Sequence, residues 1–174
     1  FTDLLRTAVD PDAASLDSAL AGVQDKISDA MISFPIKRAA RRAILKLDSD
    51  QFPLITHNEH FFLSMARSAG FSVPHNELIA DAQGASGLLS ERFDGYQTDG
   101  GAVGRVAQED ACQFLGRYPT DKYRTTVNEI ATKLQDLATS PQAAVLDLIL
   151  QVAFAWIVGN GDLHAKNYSL QWRI

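Results

Sequence analysis

GNGDLHAKNYS (residues 159–169) is the densest polar stretch of this 174-residue chain, and we call it the polar loop. It directly follows Gln142–Val158, which is apolar on most sides and is predicted to be a buried helix. Ser140 is a predicted N-cap of that helix, with Pro141 at its first position, and Gly159 is predicted to end it abruptly. An apolar helix that ends in such a loop can hold several polar side chains on a rigid base.

Two residues of the polar loop have the spacing of a kinase catalytic loop. Asp162 is followed by a leucine and, five positions on, by Asn167, as in D-L-x-x-x-N. In that chemistry the Asp accepts the proton of the attacking hydroxyl and the Asn holds Mg²⁺ on the phosphates. A nearby cation, here Lys166, can offset charge on the transferred phosphoryl group. The alternative is a loop whose polar side chains only satisfy backbone groups at the end of a helix.

A lysine in an apolar strand is the second candidate feature. AILK (residues 43–46) closely matches the V-A-I-K pattern of a strand that presents a lysine to ATP phosphates. An unpaired ammonium at Lys46 would be costly in such a strand, which favours a functional partner over a solvent-facing lysine. Glu59 is the candidate helix glutamate for this pair. It has an equal alternative, because Thr56 and Glu59 also have the spacing of a capping box.

The remaining pattern changes from strands to helices along the chain. Strands are predicted at Met31–Phe34, Ala43–Leu47, Phe71–Ala80 and Gly87–Phe93. The first two strands flank a turn with the only basic cluster of the sequence, and one helix that stops at Gly70 lies between the second and third strands. Gly95–Gly104 is rich in glycine and is predicted to be a flexible linker. Helices are predicted at Gln108–Leu115 and after a capping box that joins Thr126 and Glu129.

Composition narrows the class of protein. Apolar residues make up 46% and charged residues 21%, which is typical of a globular domain, and no apolar stretch is long enough for a membrane span. A single cysteine, Cys112, excludes an internal disulfide and indicates a reducing, cytoplasmic location. The net charge of −5 makes nucleic-acid binding by this chain alone an unfavourable hypothesis.

The chain resembles the HipA-type serine/threonine kinases, the toxin components of bacterial HipBA-type toxin–antitoxin pairs, in six segments. They are AGVQDK (21–26), AILKL (43–47), NEHFFLSMARSAG (58–70), LLSERFD (88–94), QEDACQFLGRYPTDKY (108–123) and the polar loop. The resemblance implies an α+β, two-lobed protein-kinase-like fold that is incomplete at both ends. Residues 1–94 would form a β-rich nucleotide-binding lobe with one helix, and residues 95–174 a partial helical lobe that carries the catalytic loop.

The resemblance also implies roles in phosphoryl transfer. Asp162 matches the catalytic base, Asn167 a Mg²⁺ ligand and Lys46 the lysine on the ATP phosphates. His164 and Gln108 match positions near the protein substrate, and His164 is also a candidate for contact with the nucleotide.

Nucleotide binding is implied for two further segments. Glu91 and Phe93 match the hinge whose backbone holds adenine. Gly22, Val23 and Gln24 match the loop over the phosphates, where Ala19 stands in a region that often carries an autophosphorylated serine.

Family membership would bring cofactors and partners. HipA-type kinases use ATP and Mg²⁺ to phosphorylate a protein, in the best-known case an aminoacyl-tRNA synthetase. They pair with a small DNA-binding, HipB-like antitoxin, through which we expect most of the contact with DNA to be made.

One departure keeps other functions open. The family carries a second metal-binding Asp after the catalytic loop, and this sequence stops at Ile174 before any such residue. Without that Asp we expect phosphoryl transfer to be severely impaired. The alternatives are a catalytically inactive kinase-like module that binds nucleotide or antitoxin, and a small-molecule phosphotransferase.

Overall fold

The computed structural model describes residues 31–38, 41–49, 51–97 and 103–172, and the chain divides into two compact units. The first unit ends at Gly104 and the second begins at Arg105. Gly22, Val23 and Gln24 of the predicted phosphate-binding loop lie outside the described residues, as does Ala19. The roles that the sequence assigns to residues 1–94 and 95–174 stay predictions.

A four-stranded antiparallel sheet forms the centre of the first unit. Its strands are β1 (Met31–Arg38), β2 (Arg41–Asp48), β3 (Asn76–Ala80) and β4 (Ser86–Glu91), in the order β1-β2-β4-β3. The first two predicted strands are confirmed and pair antiparallel, but both are longer than the sequence indicates. The basic residues Lys37, Arg38, Arg41 and Arg42 therefore belong to the strands and not to the turn between them. Pro35 is accommodated within β1, which is an edge strand in the sheet of the described residues, and β3 begins only after Pro74.

The two faces of β2 have different partners. Ala43, Leu45 and Leu47 are buried and pack with Phe34 and Leu89 in one apolar cluster. Because side chains alternate along a strand, Lys46 points to the opposite face. That face carries the helix α1 (Ile55–Ser68), which contacts β2, β3 and β4.

The start of α1 differs from the prediction. Its N-cap residue is Leu54, at a φ of 68°, and the Asp48 carboxylate at the end of β2 accepts hydrogen bonds from the backbone N–H groups of Leu54 (3.0 Å) and Thr56 (2.8 Å). The predicted capping box of Thr56 and Glu59 is therefore wrong, because a carboxylate from the sheet already caps the helix. The predicted stop is confirmed, since Gly70 follows the helix at a φ of 92°.

The predicted flexible linker is partly wrong. Its ends form a two-stranded sheet of β5 (Gly95–Gln97) and β6 (Val103–Arg105), while residues 98–102 lie outside the description. Tyr96 and Val103 are residue types that favour strands, and this preference outweighs the glycine content at both ends.

The second unit combines helices with a small sheet. It contains β7 (Ala107–Asp110), α2 (Ala111–Phe114), α3 (Val127–Leu137), α4 (Pro141–Ile157) and β8 (Ser169–Trp172), with β7 and β8 antiparallel. The helix predicted at Gln108–Leu115 is shorter, because its first residues form β7 and Asp110 caps α2 in a capping box with Gln113. The capping box of Thr126 and Glu129 on α3 is confirmed.

The apolar helix α4 is not buried as predicted. Leu148 packs in the core of the second unit with Cys112, Ile130 and Leu134, and Ala155 is also buried. Other large apolar side chains of α4 are exposed: Leu146, Ile149, Leu150, Trp156 and Ile157. The physical reason is geometric, since α3 and the short elements of this unit cover one side of a 17-residue helix. Among the described residues, no helix is long and apolar enough to cross a membrane.

Candidate active site

Lys46 and Glu59 form an ion pair in the first unit. The Lys46 Nζ donates to the Glu59 Oε1 at 2.5 Å, and each side chain is about a quarter exposed. The alternation of β2 points the lysine at α1, and the Asp48 cap fixes where that helix starts and hence where Glu59 lies. Of the two alternatives for Glu59, the structure forms the pair with Lys46.

Hydrogen bonds from the backbone and from side chains hold the end of β4 and the turn that follows it. The backbone N–H of Glu91 donates to the carbonyl of His75 at 2.8 Å, and Phe93 is exposed in the following turn. Arg92 donates two parallel hydrogen bonds to the Asp94 carboxylate, from Nε to Oδ1 at 2.8 Å and from Nη2 to Oδ2 at 2.5 Å. Such a fork-shaped contact makes the turn rigid. This pair is not among the residues predicted from the sequence, although R-x-D in SERFD is a signal for it.

The polar loop fixes the main chain of Asp162 from both sides. The helix ends with Gly159 at a φ of 70°. The Asn160 Oδ1 then accepts from the backbone N–H of Asp162 at 3.1 Å, and the Asn167 Nδ2 donates to the Asp162 carbonyl at 3.3 Å. The two asparagines therefore hold the peptide groups of Asp162, while its carboxylate is 75% exposed and accessible.

Two aromatic side chains lie close to one oxygen of that carboxylate. The Tyr123 hydroxyl donates to the Asp162 Oδ1 at 3.1 Å, and the His164 Nε2 lies 3.9 Å from the same oxygen. The rings of Tyr123 and His164 meet edge to face, with centroids 5.1 Å apart. The His164 Nδ1 is buried without a hydrogen-bond partner in the part of the chain that is described. Tyr123 is not among the residues predicted from the sequence, where its place in a resembling segment is the available signal.

Lys166 and Gln108 connect the polar loop to its surroundings. The Lys166 Nζ lies 3.8 Å from the Asp110 Oδ2, and the Gln108 Nε2 donates to the Ser169 hydroxyl at 3.2 Å. Both contacts join the region of β7 to the loop and the start of β8. The predicted charge-offsetting role of Lys166 therefore has Asp110 as a competitor.

The residues of the polar loop fit an oxygen-preferring cation. The Asn167 amide uses its nitrogen on the Asp162 carbonyl, which leaves the amide oxygen to act as a ligand. Mg²⁺ prefers oxygen ligands, keeps several waters and takes few protein groups when phosphates complete its shell. Within the described ranges, no three His, Cys, Asp or Glu side chains cluster as a metal site.

A strand lysine paired to a helix glutamate, and an exposed Asp five residues before an Asn in a loop after a helix, are the features of a kinase-like protein. The chain belongs to the family of HipA-like C-terminal domains, whose model matches residues 18–173. The family that the sequence predicts is thereby confirmed.

Two relatives from Sinorhizobium fredii carry kinase names. The chain is 35% identical over 160 residues to the "Putative kinase Y4mE" and 31% identical over 169 residues to the "Putative kinase Y4dM". The matches cover 87% and 90% of this chain but 38% and 41% of those proteins. The chain thus spans about two fifths of the length of these relatives.

A solved structure has the same fold. A chain in the Shewanella oneidensis MR-1 toxin–antitoxin complex of HipA, HipB and operator DNA matches with a TM-score of 0.70 and 21% identity. The match covers 98% of this chain and 46% of that one. The predicted α+β, kinase-like fold is confirmed.

Proposed function

We propose that the protein is a HipA-type serine/threonine kinase that transfers the γ-phosphoryl group of ATP to a protein hydroxyl. The observation that carries the proposal is the geometry of Asp162. Its peptide groups are held by Asn160 and Asn167 while its carboxylate is exposed, which suits a general base that must meet a large acceptor. The second support is the Lys46–Glu59 pair, since a lysine held by a carboxylate can place its ammonium on phosphates.

Each residue takes a separate part in this proposal. Asp162 accepts the proton of the attacking hydroxyl, and the Asn167 amide oxygen would hold Mg²⁺, which neutralises charge on the phosphates when bound. Lys46 contacts the phosphates and Glu59 holds Lys46. Lys166 offsets charge near the transferred group after leaving Asp110.

Nucleotide binding completes the proposal. The backbone at Glu91 and Phe93, in the turn made rigid by Arg92, receives adenine. We assign contacts with the phosphates to Gly22, Val23 and Gln24, which lie outside the described residues, and contacts with the nucleotide and the acceptor to His164.

The test is transfer from [γ-³²P]ATP to a degenerate serine/threonine peptide library. We expect Asp162→Asn to retain ATP binding and the unfolding midpoint, and to lose transfer by about 100-fold or more, the contribution typical of a general base. Asp136→Asn is the matched control, because Asp136 is an exposed carboxylate on α3. Transfer by Asp162→Asn at the wild-type rate would refute the role of Asp162. Wild-type protein that binds ATP without any transfer would refute the kinase and favour a binding module.

The partners belong to the proposal as well. We infer a toxin role, with a small DNA-binding, HipB-like antitoxin as partner, because the matched solved structure contains HipB and operator DNA. The substrate is a protein, and an aminoacyl-tRNA synthetase is the first candidate to assay. A cytoplasmic location is proposed because Cys112 is a buried free thiol.

A further inference from the structure

Main-chain hydrogen bonds of the neighbouring residues hold Tyr123 next to the polar loop. Pro119–Asp121 forms a 3-10 turn, and the N–H of Arg124 donates to the carbonyl of Asp121 at 2.9 Å. One residue before Tyr123, the carbonyl of Lys122 accepts from the N–H of Ala165, in the polar loop, at 3.1 Å. A main-chain bond therefore ties this segment to the loop that carries Asp162.

The freedom that remains to Asp162 is in its side chain. Its peptide groups are fixed by the two asparagines, but these bonds leave the carboxylate free to rotate about its side-chain torsions. The Tyr123 hydroxyl, 3.1 Å from the Oδ1, is the one side-chain group within hydrogen-bond distance of this carboxylate among the described residues. The His164 Nε2, at 3.9 Å, is too far to replace it.

We propose that Tyr123 is a positioning residue, whose hydroxyl holds the Oδ1 of Asp162 so that the Oδ2 meets the acceptor hydroxyl. This inference rests on the proposed kinase function. A carboxylate in a fixed orientation is a better base because the reacting geometry is formed before the acceptor arrives. Tyr123 does not itself receive the proton.

A purely structural role of Tyr123 would depend on its ring and not on its hydroxyl. The Tyr123 ring packs edge to face on His164, and the Lys122 Nζ lies 4.8 Å from its centroid. A phenylalanine keeps these ring contacts and loses only the hydroxyl. Because the side chain is 67% exposed, the loss of one hydroxyl should leave the unfolding midpoint almost unchanged.

The experiment compares Tyr123→Phe with Tyr118→Phe in the peptide-library assay. Tyr118 is the matched control because it is also an exposed tyrosine and lies five residues before Tyr123. We expect Tyr123→Phe to lower kcat about tenfold, the effect of one lost hydrogen bond to a charged group, with the KM and the Kd for ATP unchanged. Tyr118→Phe should equal the wild type. Wild-type kcat in Tyr123→Phe, or a lower kcat matched by a lower unfolding midpoint, would overturn the inference.

A second measurement separates this inference from the kinase itself. The ¹³Cγ resonance of Asp162, assigned by its loss in Asp162→Asn, should shift in Tyr123→Phe and stay in Tyr118→Phe. If the wild type shows no transfer, the proposed function fails, and the resonance still reports whether Tyr123 holds Asp162. An unchanged resonance in Tyr123→Phe would overturn the positioning role whatever the kinetics show.

Discussion

Glu59→Gln tests the link between the sheet and the chemistry. In the wild type the Glu59 carboxylate holds the Lys46 ammonium at 2.5 Å. The amide of glutamine has nearly the same shape and still offers an oxygen to the lysine, so it removes the charge and little else. Lys46 would then sample orientations that do not reach the phosphates, and we expect weaker use of ATP.

The magnitude follows from the exposure of the pair. Hydrogen bonds to charged groups contribute about 1.5–3 kcal/mol when well buried, and charge assistance accounts for roughly half of this. With the two side chains 26% and 27% exposed, the lower end applies. We therefore expect a loss of about 0.8 kcal/mol, equal to about a fourfold fall in kcat/KM for ATP. Equilibrium binding of a fluorescent ATP analogue and the peptide-library assay measure it.

A double-mutant cycle shows whether the effect runs through the lysine. In a Lys46→Met background, Glu59→Gln should cause no further loss of ATP binding, because the partner it orients is gone. Glu109→Gln, at an exposed glutamate of β7, is the matched control. Equal losses from Glu59→Gln with and without Lys46, or no loss at all, would refute the reasoning.

Two further predictions concern stability and reactivity. The backbone N–H of Thr126 donates a hydrogen bond to the Glu129 carboxylate and, with the Thr126 hydroxyl and Arg117, holds the pKa of Glu129 below its usual range. Glu129 therefore stabilises the fold at neutral pH, and this stabilisation is lost as the pH falls through the lowered pKa. Urea unfolding should show Glu129→Gln as less stable at neutral pH and equal to the wild type in strong acid; a difference independent of pH would contradict this. Burial raises the pKa of the Cys112 thiol, so mass spectrometry should find iodoacetamide labelling slow in the native protein and fast in urea. Equal labelling rates would contradict the buried position.

The two candidate capping boxes show what local patterns can and cannot predict. Both have a threonine three residues before a glutamate, yet the box forms on α3 and not on α1. On α1 the Asp48 carboxylate, at the end of a sheet strand, caps the helix, and the Glu59 carboxylate is hydrogen-bonded to the Lys46 ammonium instead. Both competitors lie in β2, so their effect depends on tertiary packing that the helix sequence does not contain.

Burial of α4 is a second case in which the pattern is insufficient. A hydrophobic sequence specifies how much surface a helix can bury, while the neighbouring elements decide how much it does bury. On α4, Leu148 and Ala155 are buried, while Trp156 and Ile157 are exposed. The helix and both its ends were predictable because Pro141 and Gly159 mark them locally.

The candidate site divides in the same way between local and distant determinants. Asp162 and Asn167 could be selected from the sequence because their spacing lies within one loop, and that loop fixes their main-chain geometry. Tyr123 could not, because it lies 39 residues earlier and reaches Asp162 only through the fold. If the orientation of the base depends on Tyr123, a sequence can keep every residue of the D-x₄-N pattern and still lose catalytic rate. The segment at residues 117–125 should therefore be varied together with the polar loop when the proposed transfer activity is measured.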